Sequence, residues 1–87
     1  MRAVITVIGK DMVGILANVS AACADANANI IEVTQSVLQE FFCMVMLIDT
    51  GKMNMSIKEL EEKLSTRAEG MDIHVMHEDI FNSMHRV

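Results

Sequence analysis

The chain has no proline, tryptophan or tyrosine, and only three phenylalanines and two cysteines among its 87 residues. Each scarcity excludes something. Without tyrosine or tryptophan there is little on which bases could stack. Basic residues are also short, 7 Lys and Arg against 12 Asp and Glu, giving a net charge of −5 that suits a phosphate backbone badly. No nucleic-acid partner is expected. Cys23 and Cys43 are too few for the disulfide framework of a small secreted domain. No apolar run approaches the roughly 18 residues that span a bilayer. Arg2 is followed by a short β-like run rather than a leader pattern. The expectation is a cytoplasmic protein with no membrane partner. Nothing in the chain reads as a linker, a repeat or a low-complexity segment, so one domain is expected.

What the chain has in abundance is apolar surface. Hydrophobic residues make up 52% of it, and nine are methionine. A domain this small has much surface and little interior, so part of the excess should lie outside and be covered by a second chain. Its stability should be about 4–13 kcal/mol, from roughly 0.05–0.15 kcal/mol per residue.

Residues 3–8 are rich in β-branched types and stop at Gly9, which reads as a first strand. Asp11 is a suitable N-cap for a helix whose apolar residues recur at Met12, Ile15 or Leu16, Val19, Ala22 or Cys23, and Ala26, with Gly14 in its first turn. The helix closes near Asn27–Asn29, where asparagine tolerates a left-handed backbone. Residues 30–38 alternate as a second strand, with Ile31, Val33 and Val37 on one side. A tight turn at Gln39-Glu40 leads into Phe41 to Ile48, apolar on both faces. Ser56 and Glu59 form a capping box, with Met55 and Leu60 as its staple. Ile57, Leu60 and Leu64 form the inner stripe of this second helix, and Gly70 ends it. Residues 71–79 alternate as an edge strand.

The order β-α-β-β-α-β predicts an α+β, ferredoxin-like fold: a four-stranded antiparallel sheet with two helices on one face. Residues 1–79 form the domain, and 80–87 a tail with a short helical turn. Helices cover only one face of the sheet, yet the third strand is apolar on both. Either Phe42, Met44 and Met46 or Phe41, Cys43 and Val45 must face the open side.

Chemistry-bearing patterns are sparse. The loop after the first strand has no Cys-x-x-Cys for a metal, and the first strand has no aromatic residues for RNA. His74 and His77 lie three apart on a strand and point to opposite faces, so they cannot share a metal. No nucleophile with a base partner is recognisable. Glu59, Glu61 and Glu62 with Lys58 and Lys63 read as a solvated helix face. No catalytic residue, metal ligand or cofactor is expected. One place resembles a binding site: the loop from Gly9 to Gly14, whose helix N-terminus favours an anionic group such as a carboxylate.

The run Val7-Ile8-Gly9-Lys10-Asp11-Met12-Val13-Gly14-Ile15-Leu16-Ala17, with Ala28-Asn29-Ile30-Ile31 later, resembles the signature of ACT domains. The nearest resemblance is to free-standing single-domain bacterial members related to the glycine-cleavage regulator. Many members have proline where this chain has Val13, which leaves the loop here less stiff. The resemblance implies a small non-catalytic regulatory module that pairs side by side or face to face as a homodimer or higher homo-oligomer. Its ligand, an amino acid or similar small molecule, would sit between the first loop of one subunit and the second strand of the next. That nominates Gly9, Lys10, Asp11, Met12, Val13, Gly14 and Ile15 with Asn29 and Ile30. A separate regulated protein would read the result. The alternative is a ligand-free interaction module that uses a Met-rich apolar sheet face.

Overall fold

The computed structural model describes residues 1–10 and 13–84. Its elements are β1 (Arg2–Lys10), α1 (Ile15–Asp25), β2 (Asn29–Leu38), β3 (Phe41–Asp49), α2 (Ile57–Arg67), β4 (Asp72–His77) and α3 (Glu78–Met84). The strands form one antiparallel sheet in the order β2-β3-β1-β4. α1 and α2 pack together on one face, which is the expected ferredoxin-like arrangement.

The core lies between that face and the two helices. Ala3, Ile5 and Val7 of β1, Met44, Met46 and Ile48 of β3, and Ile73 and Val75 of β4 are buried against Val19, Ala22, Cys23, Leu60 and Leu64. Phe42, Met44 and Met46 therefore point inward, while Phe41, Cys43 and Val45 face the other side. Of the two orientations left open by the sequence this is the second, and the Met-rich face of the alternative reading is corrected, since Met44 and Met46 are turned to the core. Met44 and Met46 fill the core, where a flexible thioether suits an irregular gap.

The other face is not wholly open. α3 folds back over β1 and β4, held at its start by Arg2, whose Nε donates to Glu78 Oε1 at 3.1 Å. Val4 is thereby buried, although its side chain points away from α1 and α2. The β2–β3 half stays bare, with Leu38 71% exposed. The expected domain boundary after residue 79 falls inside α3, and residues 85–87 lie outside the described residues.

β2 differs from the expected alternation near its start. A bulge between Ile30 and Glu32 sets Ile31 out of register, so Ile30 packs on the core while Ile31 is exposed. From Glu32 to Leu38 the pairing with β3 is unbroken.

The helix ends follow local chemistry. α1 closes in a Schellman motif: Asn27, at φ 57°, donates its N–H to Ala24, and Ala28 donates to Cys23. Asn54 stitches the following loop to this end, its N–H bonded to the Ala26 carbonyl and its Nδ2 to that of Asp25. Gly70, at φ 89°, lies just beyond the C-cap of α2. At the start of α2, Glu59 N–H donates to Ser56 Oγ at 3.1 Å and Ser56 N–H to Glu59 Oε1 at 3.0 Å.

The capping box makes a testable claim. Ser56→Ala should cost about 1 kcal/mol in urea unfolding at neutral pH. The hydrogen bonds from Ser56 hold the Glu59 carboxyl below its usual 4.5. A depressed carboxyl contributes stability above its unfolded pKa and loses it as pH falls through the folded value. Glu59→Gln should therefore flatten the decline in stability below about pH 4.5, measured as midpoint against pH.

Candidate ligand site between loop and strand

The nominated residues fall into two groups. Gly9 and Lys10 are not loop residues: they continue β1, opposite Phe42 and Phe41. A Cβ at Gly9 would run into Met71 Sδ, so the flexible end of that methionine would have to move aside. Asp11 and Met12 lie outside the described residues, and with them the capping role read for Asp11. The cap of α1 is Gly14, with φ 84° and ψ 7°, so Gly14 precedes the first turn rather than standing in it. A left-handed backbone at that point is why glycine is there. Among the described residues no side chain caps α1, and its first turn holds no acidic residue. Val13 is fully exposed, whereas Ile15 is buried in the core.

Asn29 and Ile30 lie at the other end of the sheet. Lys10 aligns with Phe41 and Leu38, while Arg2 aligns with Asp49 and Asn29. Eight residues of strand separate these rows, roughly 26 Å at about 3.3 Å per residue. A single chain does not bring its two groups together.

Asn29 lines a cleft of about 730 Å³ with Ala24, Asn27, Ala28, Asp49, Gly51 and Lys52. Asn27 Nδ2 donates to the Lys52 carbonyl at 2.8 Å, and Asp49 Oδ1 accepts from Gly51 N–H at 2.8 Å. The C-terminal end of α1 abuts the cleft, so its field favours a cation. The N-terminus of α1 has the opposite preference. Sequence reading missed Asp49 and Lys52. The turn residues Thr50-Gly51 between them were the available signal.

A second pocket, of about 480 Å³, lies under α3 and is lined by Thr6, Ile8, Cys43, Met76 and Phe81 among others. His74 Nε2 lies 3.1 Å from Asp72 Oδ1 at its rim. Cys43 is half-buried here, whereas Cys23 is fully buried and burial pushes its thiol up to about 11. A thiol reagent such as dithionitrobenzoate should titrate Cys43 in the native protein and Cys23 only after denaturant is added. Among the described residues no three His, Cys, Asp or Glu side chains gather as a metal site, and no helix is long and apolar enough to cross a membrane.

Residues 2–78 match the sequence profile of the ACT domain. The chain belongs to the ACT domain family. The matched region stops where α3 begins. A UPF0237 protein of Methanopyrus kandleri is 47% identical over 99% of this chain and 98% of its own length. One from Clostridium perfringens is 45% identical over the full length of both. Among solved structures, an ACT domain protein from Streptococcus pneumoniae superposes with a TM-score of 0.79, at 31% identity over 93% of each chain. A protein described as a glycine cleavage system transcriptional repressor superposes at 0.67 with 29% identity, this ACT domain covering 43% of it. ACT membership marks the chain as a regulatory module of ferredoxin-like fold.

Proposed function

We propose that this ACT domain is a non-catalytic amino-acid sensor of the cytoplasm that works as a pair. A ligand between two copies favours one arrangement of the chains, and a partner protein reads that arrangement. One observation carries the reading: the glycine-capped N-terminus of α1 and the Asn29 cleft lie at opposite ends of one sheet. They can form one site only if a second chain runs in the reverse direction beside the first. The pairing then sets N–H groups that favour a carboxylate against a cleft whose Asp49 favours an ammonium, and a zwitterion has both.

Signalling requires the ligand to bind the paired arrangement better than any other. Calorimetric melting of the protein with each of the twenty amino acids tests this. A true ligand at 100 times its Kd should add about 2.7 kcal/mol to the stability of the assembly. If none of the twenty moves the melting temperature, the chain is not an amino-acid sensor. The ligand-free alternative, an interaction module, draws its support from the bare β2–β3 half of the outer face, where Leu38 and Phe41 are exposed.

A further inference from the structure

α3 roofs part of the outer face of the sheet without sealing it. Val4, Thr6 and Ile8 alternate along β1 on that face. Val4 is 3% exposed beneath α3, whereas Ile8 is 44% exposed. No residue of α3 is itself buried. A helix that closes over a sheet yet buries none of its own residues leaves room underneath. That room is the cavity of about 480 Å³ under α3. Small-molecule sites span about 300–1,000 Å³, so it has the size of one. Phe81 and Met84 line it from α3, and Ile8, Val45 and Met76 from the sheet.

One row of this cavity is polar. Val45, Thr6 and His74 stand side by side across β3, β1 and β4. Directly opposed residues of an antiparallel pair have Cβ atoms about 4.5–5.5 Å apart. Thr6 Oγ1 has no hydrogen-bond partner among the described residues. His74 turns its Nε2 to Asp72 Oδ1 at 3.1 Å, which leaves Nδ1 of the neutral ring as an acceptor. A hydroxyl group placed in this row can donate to His74 Nδ1 and accept from Thr6 Oγ1 at once. The rest of the lining selects the body that carries the hydroxyl. Met76 and Met84 offer thioethers, which make favourable contacts with aromatic rings, and Phe81 offers a ring of its own. Asp72 is the one acidic residue of the lining, and no Lys or Arg joins it among the described residues. A carboxylate would meet Asp72 with only His74 to offset the repulsion, so an uncharged molecule fits better.

We propose that the cavity beneath α3 binds a small uncharged phenol, its ring among Met76, Met84 and Phe81 and its hydroxyl between Thr6 and His74. This site is separate from the cleft at Asn29 and lies wholly within one protomer. Its roof begins where the match to the ACT profile ends, so the matched region alone does not supply it.

Cys43 reports on the site, because it lines the cavity and is half-buried while Cys23 is fully buried. Phenol should slow the alkylation of Cys43 by iodoacetamide in a saturable way, half-maximal near about 1 mM, an affinity within reach of so small a ligand. Benzene has the ring without the hydroxyl, and benzoate carries a charge. Each should need at least a roughly tenfold higher concentration than phenol for the same protection. Thr6→Val keeps the shape and removes the hydroxyl. It should weaken phenol about fivefold and leave benzene unchanged. Val45→Phe fills the floor and should abolish protection by all three probes. Circular dichroism establishes that each variant folds, and the three wild-type titrations stand without either. An alkylation rate that phenol leaves unchanged up to about 20 mM overturns the site, as does protection that survives in Val45→Phe. Benzene or benzoate protecting as well as phenol, or Thr6→Val holding phenol as the wild type does, overturns the ligand class.

Discussion

Ile5→Ala should lower the unfolding free energy by about 2–5 kcal/mol, the range for removing most of a buried aliphatic side chain. Ile5 lies on one of the two inner strands, between Met46 of β3 and Val75 of β4, and is completely buried. It touches the part of the core where sheet and both helices meet, so the void left behind has walls that are themselves fixed. A chain of this size holds about 4–13 kcal/mol in total. The substitution thus removes a large share of it, and at about 4–8 °C per kcal/mol lowers the melting temperature by at least 8 °C. Urea unfolding checks this. The midpoint should fall while the slope m stays constant, since the surface exposed on unfolding is unchanged. Ile5→Val should cost only about 0.5–1.5 kcal/mol. A loss below 1 kcal/mol for the alanine would mean that Met44 and Met46 flow into the space, as flexible thioethers can.

Gly14→Ala is the second large effect expected, at about 1–2 kcal/mol, and its cause is different. A Cβ at Gly14 would meet nothing within 4 Å among the described residues, so packing against them contributes no penalty. The whole cost comes from holding an L-residue at φ 84°. Gly14→Asn should cost less, because asparagine visits that region more readily. The pair separates two roles for the glycine. If asparagine restores most of the stability but any amino-acid binding is lost, the open space at Gly14 belongs to the ligand. If binding follows stability in both variants, the glycine serves the backbone alone.

What could be read from the sequence was what neighbouring residues decide among themselves. Ser56 and Glu59 are three positions apart and cap α2 as their spacing predicted. Asn27 closes α1 in the left-handed region for the reason asparagine was noted there. The strands followed from runs of β-branched residues, and the element order then allowed few topologies. The features that were illegible depend on contacts distant in sequence. β3 is apolar on both faces, so its inward side could not be chosen until β1 and the helices were in place. The bulge that displaces Ile31 leaves no mark in an apolar pair. Glu61 meets Val75 across fourteen positions, and its place among glutamates and lysines disguised it. The start of α1 was placed three positions early because Asp11 offered a more familiar cap than Gly14. The site residues were chosen by resemblance, and their separation along the sheet became apparent only with the strand register.

The Asn54 stitch at the end of α1 has a mechanical meaning. Asp25 at the same end also holds Arg67 and Lys63 of α2. The helix is thus riveted at one extremity, while among the described residues its glycine-capped beginning has no side-chain clasp. Its eleven residues make a lever about 16 Å long, at roughly 1.5 Å per residue, with the fulcrum near Asn27. Ile15 and Val19 bed that length in the core, so the riveted end joins a helix already held along one face to the start of β2.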